Sequence, residues 1–175
     1  MMDAVPASVH ASAVLVDRRA VLIRGPSGAG KSRLAFDLML AGRSGQIPPA
    51  VLVGDDRVHL FASEGQLMVR PAPQLAGLIE IRGLGIRRCD FIAQAVVGLV
   101  VDLAAADAAR LPPPEALQTR IHGVEIPRIP VGPGFLALPL IVAALITTEG
   151  SGVNPLSDDC VKGISNHMGP SIATE

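Results

Sequence analysis

Gly25-Pro26-Ser27-Gly28-Ala29-Gly30-Lys31-Ser32 satisfies the phosphate-loop pattern G-x-x-x-x-G-K-[ST] at every position. The apolar run Ala20-Val21-Leu22-Ile23 precedes it, and Leu34, Ala35, Leu38 and Met39 follow at helical spacing. This is the strand-loop-helix setting the motif requires. Glycines let successive backbone N–H groups turn inward on phosphate oxygens, and the start of the following helix adds its partial positive charge at the same point. Lys31 is expected to reach the β- and γ-phosphates of a nucleoside triphosphate, and the Ser32 hydroxyl to sit on Mg²⁺. A glycine-rich turn that binds nothing is the competing reading, and the two correct flanks weigh against it.

Working outward, the 175 residues are 49% hydrophobic, enough for one domain with a proper core. We place that domain at residues 1–146 and a polar, loose tail at 147–175, where Gly150, Gly152, Pro155 and Asp158-Asp159 follow without periodicity. A net charge of -1 provides no basic field to draw in nucleic acid or a membrane surface. Aromatic residues are only 2%, so base-stacking platforms are lacking too. Cys89 and Cys160 lack metal-ligand spacing and read as reduced thiols of a cytoplasmic protein. No export signal is legible at Met1-Met2-Asp3-Ala4. The apolar segment Phe135 to Ile146 is too short to span a bilayer and reads as a buried helix.

Before the loop, Val9 to Val16 reads as one strand that forms a hairpin with Ala20 to Arg24. After it, the helix is expected to stop near Ala41-Gly42. Ala50-Val51-Leu52-Val53 then forms a strand buried on both faces that delivers Asp55 and Asp56. Acidic residues at that point hold metal and position the nucleophile in phosphate-loop enzymes, and on an extended backbone the two would face opposite sides. A simple turn pair is the alternative. Val58 to Phe61 and Gln66 to Val69 form a second hairpin, a departure from alternating βαβ order. Leu78 to Ile86 reads as a strand with Glu80 and Arg82 on one face, either a surface ion pair or a metal ligand beside a phosphate clamp. Ala95 to Leu103 is a buried strand, Ala104 to Arg110 a short helical turn, Leu111 to Pro114 a stiff connector, and Arg120 to Val131 a pair of edge strands.

With these blocks in order, the chain resembles the catalytic domain of the HPr kinase/phosphorylase family. The resemblance rests on Val9-His10-Ala11, the loop at 25–32, Gly54-Asp55-Asp56-Arg57-Val58 and Leu78-Ile79-Glu80-Ile81-Arg82-Gly83-Leu84-Gly85-Ile86, and spans roughly residues 9–146. It implies an α/β fold, a phosphate-loop mixed sheet with added β-hairpins of the HPr kinase/PEP-carboxykinase type. It also implies ATP and Mg²⁺ as cofactors and a serine of an HPr-like phosphocarrier protein as acceptor. Residues 25–32 would hold the nucleotide, Ser32 and Glu80 the metal, and the Asp55-Asp56 pair would contain the general base. His10 matches a histidine near the phosphate site, and Arg110-Leu111 an Arg-Leu pair that helps bind phosphate. A homo-oligomer, typically a hexamer, and the short single-domain form of some proteobacteria are implied as well. In place of the family's P-x-R-P-G-R-N segment the chain reads Pro130-Val131-Gly132-Pro133-Gly134-Phe135-Leu136, without either arginine. Kinase activity with weak or absent phosphorylase activity is therefore expected. The rival readings are a small-molecule kinase and a nucleotide-binding regulatory module without transfer activity.

Overall fold

A computed structural model describes residues 7–147. The tail expected beyond Thr147, including Cys160, lies outside the described residues. The described residues form eleven strands and two α-helices, and nine of the strands build one mixed sheet. Its spine runs β1 (Ser8–Val9), β5 (Val58–Ser63), β6 (Gln66–Pro71), β9 (Ala95–Leu103), β3 (Arg19–Arg24), β2 (Ser12–Val16), β4 (Ala50–Gly54). At β9 the sheet forks: β6 pairs antiparallel with its first residues, and β11 (Val124–Val131) pairs parallel with its last, from Val100 to Leu103. β10 (Gln118–Ile121) closes onto the other half of β11.

Strand alternation divides the core in two. Val21 and Ile23 of β3, Val14 and Val16 of β2, and Leu52 of β4 face α1 (Lys31–Arg43) and α2 (Ala137–Ile146). Their neighbours Ala20, Leu22, Ala13 and Val53 turn to the opposite face, where Leu60, Val69 and Val97 cover them. Both faces are buried, which is why β4 reads as an unbroken apolar run and β9 as one interrupted only by Gly98 and Asp102.

Several expectations change. The Val9 to Val16 run is broken at His10 and Ala11, so β1 pairs with β5 while β2 joins β3 and β4. α1 continues through Gly42 to Arg43, because a β-carbon at Gly42 would lie 2.6 Å from the Ala50 nitrogen, so the glycine serves close packing and not termination. Leu78 to Ile86 is a hairpin, β7 (Leu78–Ile81) with β8 (Gly85–Arg88), which puts Arg82 in the turn and leaves no ion pair to Glu80. Ala104 to Arg110 holds no helix: Ala104 has φ 55, a single turn closes with the Ala108 N–H on the Ala105 carbonyl at 3.4 Å, and the chain runs irregularly to a 3₁₀ turn at Pro114–Leu117. The edge strands expected from Arg120 to Val131 do form: β10 pairs only with β11, and β11 takes a single partner along its length, β10 up to Pro127 and β9 from Arg128. α2 is not a buried helix. Only Ala137 and Ile141 are buried, and Leu140, Leu145 and Ile146 face outward.

Candidate functional site

Strand direction gathers the site at one end of the sheet. β3 and β4 run toward this end, and β2, between them and antiparallel to both, begins there. The loop after β3, the two aspartates after β4 and the residues before β2 therefore meet, as ligand sites do at the carboxyl ends of α/β sheets.

The loop has the conformation its glycines predict, with positive φ at Gly25, Gly28 and Gly30. Gly30 caps α1 with no side-chain hydrogen bond, and no acidic side chain lies in the first turn, so that end keeps its positive character. Lys31 is buried, its Nζ donating to the carbonyls of Gly25 and Pro26 at 3.0 Å each. Burial lowers its pKa, while the charges of Asp55 and Asp56 act in the opposite sense.

The two aspartates divide sharply. A register shift in the β2–β4 ladder leaves Val53 between the Val14–Leu52 and Ala13–Gly54 pairs, and beyond it the extended backbone ends: Asp56 has φ 64. Asp55 is 2% exposed, accepting a hydrogen bond from the Ser12 hydroxyl at 2.5 Å and one from the Glu80 backbone N–H at 3.2 Å. The Asp56 side chain is 61% exposed and lies 3.2 Å from His10 Nε2. His10 reaches it because the break between β1 and β2 frees its side chain from the ladder.

The structure thus brings Lys31, Asp55, Asp56, His10 and the Glu80 backbone together. Arg110 is exposed in the connection after β9 and makes no hydrogen bond or ion pair among the described residues. Ser12 was missed from sequence, where a serine in an apolar strand gives no signal. Also missed was the Asp102 cluster: Asp102 takes both nitrogens of the Arg24 fork at 2.7 Å and Arg128 Nε at 2.5 Å. A carboxylate inside the apolar β9 run was the available clue. Among the described residues no three His, Cys, Asp or Glu side chains form a metal cluster.

The sequence profile of the HPr Serine kinase C-terminal domain matches residues 4–154. The chain belongs to this family. It is similar to the HPr kinase/phosphorylase of Limosilactobacillus reuteri, 42% identical over 80 residues, and to that of Streptococcus thermophilus, 45% identical over 80 residues. Those stretches cover 45% of this chain but only 23% and 24% of the relatives, so the chain matches about a quarter of their length. Among solved structures it is similar to the Hpr(Ser) kinase/phosphatase from Coxiella burnetii, with TM-score 0.63 and 28% identity over 80% of this chain and 93% of that one. The shared fold of this family is the mixed α/β sheet described above. No helix among the described residues is long and apolar enough to cross a membrane.

Proposed function

We propose that this site transfers the γ-phosphoryl group of ATP to a serine of an HPr-like phosphocarrier protein. The observation that carries the reading is the division between the aspartates beside Lys31: one locked in the interior, the other open to a partner's hydroxyl.

Each residue then has a role. Loop amides of 25–32 hold the phosphates, and Lys31 exchanges its carbonyl partners for phosphate oxygens. Asp55 fixes the strand end through Ser12 and the Glu80 amide. Asp56 accepts the serine proton as the hydroxyl attacks; His10 holds one carboxylate oxygen and leaves the other for the acceptor. General-base help of this kind is worth roughly 10²- to 10⁴-fold. Ser32 and Glu80 would hold Mg²⁺ together with the phosphates, and the ion when bound neutralises phosphate charge. Arg110 would meet the acceptor side, and the chain would work as a homo-oligomer. The arginine-free segment Pro130 to Leu136 supports a kinase with little phosphorylase activity.

Radiolabel transfer from ATP to purified HPr, against its serine-to-alanine variant, tests the reading. Label on the wild-type acceptor alone supports it. Nucleotide binding without transfer would leave only a regulatory module, and pyrophosphate formation from phosphoserine-HPr and phosphate would refute the one-way assignment.

A further inference from the structure

The four charged residues at the foot of the phosphate loop take no part in that reaction, yet their geometry is tightly specified. Arg24 is the last residue of β3, directly before Gly25, and lies opposite Asp102 in the parallel β3–β9 ladder. Asp102 accepts both arms of its guanidinium and also Nε of Arg128. Arg128 is 13% exposed and is fully committed: besides Asp102, it donates to both carboxylate oxygens of Asp107, at 2.6 and 2.9 Å, and to the Ala116 carbonyl at 2.9 Å. Asp107 belongs to the irregular connection that carries Arg110, and Ala116 to the 3₁₀ turn at its end. The backbone of that connection is tied to the sheet by the Ala105 N–H on the Val131 carbonyl.

We infer that Asp102 is a positioning residue that couples the phosphate loop to the connection carrying Arg110, so that ordering one end orders the other. The inference rests on reading 25–32 as a nucleotide loop. One carboxylate serves two guanidiniums in a partly buried setting, where charge-assisted, bidentate bonds are strong and geometrically demanding. Replacing Asp102 by asparagine leaves two cations adjacent with no shared anion, and they part. Arg24 then no longer pins the root of the loop, and Arg128 keeps Asp107 but loses its anchor on β9.

Hydrogen exchange on the full chain, with and without Mg-ATP, tests this. In the unliganded protein, Asp102→Asn should raise exchange roughly tenfold in both 25–30 and 104–111, while the α1 amides stay protected. In the wild type, Mg-ATP should slow exchange in both segments; in Asp102→Asn the loop should still respond and 104–111 should not follow. Arg128→Gln should free 104–111 alone, and Arg128→Lys, which keeps the charge without the fork, should restore part of the protection. Unchanged exchange in unliganded Asp102→Asn, or both segments still following nucleotide in that variant, would overturn the coupling. A wild type that binds no nucleotide would instead overturn the reading of the loop, and the unliganded comparison would still decide whether Asp102 ties the two segments.

Discussion

Asp55 and Asp56 are adjacent and chemically identical, yet substitution should separate them. Asp55→Ala leaves the buried Ser12 hydroxyl without its acceptor and should cost about 1–3 kcal/mol, read as a lower denaturant midpoint. Asp56→Asn, on a largely exposed side chain, should leave that midpoint within about 0.5 kcal/mol while transfer to the acceptor falls by roughly 10² or more and nucleotide affinity holds. Equal effects on stability and transfer from both variants would remove the division of labour. Asp102 contributes an acid sensitivity of its own. Burial pushes its carboxyl up, but the hydrogen bonds from Arg24 and Arg128 outweigh this and hold it below the usual carboxylate range. A depressed folded pKa means its stabilising contribution is fully present above the unfolded value of about 3.9 and is lost as pH falls through the folded value. Denaturant unfolding measured from about pH 5 to pH 3 should therefore show a gentler acid decline in Asp102→Asn than in the wild type.

The strands reach the site through positions that tolerate little. Gly54 ends β4 immediately before the aspartates, and a β-carbon there would lie 2.9 Å from Val58 Cγ1 and 3.1 Å from the Pro71 backbone. Gly54→Ala should cost about 1–3 kcal/mol by overpacking. Because the relief must come from the β4–β5 corner, it should also shift Asp55 from Ser12 and lower transfer more than the stability loss explains. Full activity in a destabilised Gly54→Ala protein would show that the corner does not set the site. The β7–β8 hairpin illustrates how a short element is misread: Glu80 and Arg82 are two apart, as on one face of a strand, but the glycines at 83 and 85, both with positive φ, turn the chain between the ladders.

Over the described residues the clearest apolar exposure is the outward side of α2 and the residues leading into it. Phe135 is 75% and Leu136 76% exposed, continuing into Leu140, Leu145 and Ile146. An apolar surface of this extent is costly in water and is normally covered. With the homo-oligomer proposed above, Phe135→Ser combined with Leu145→Ser should shift the light-scattering mass toward that of a single chain. An unchanged mass would mean that other surfaces hold the assembly.

Much of this was legible in the linear order of residues, because it depends on neighbours along the chain. The loop at 25–32, the strands at Ala20 and Ala95, α1 and the Val58 to Val69 hairpin follow from glycine placement and apolar spacing, which act within a few residues. Membership of the family was likewise written in four ordered blocks. What could not be read there joins residues far apart. Ser12 finds Asp55 across 43 positions and Arg24 finds Asp102 across 78, and both contacts exist only because β2 runs antiparallel to β4 and β3 parallel to β9 in one particular register. The exposure of α2 has the same origin: hydrophobicity says a helix seeks cover, but among the described residues the core buries only Ala137 and Ile141 and covers Leu138 and Val142 in part. Local conformation is set by local chemistry, whereas pairing and burial are set by which strands the fold places side by side.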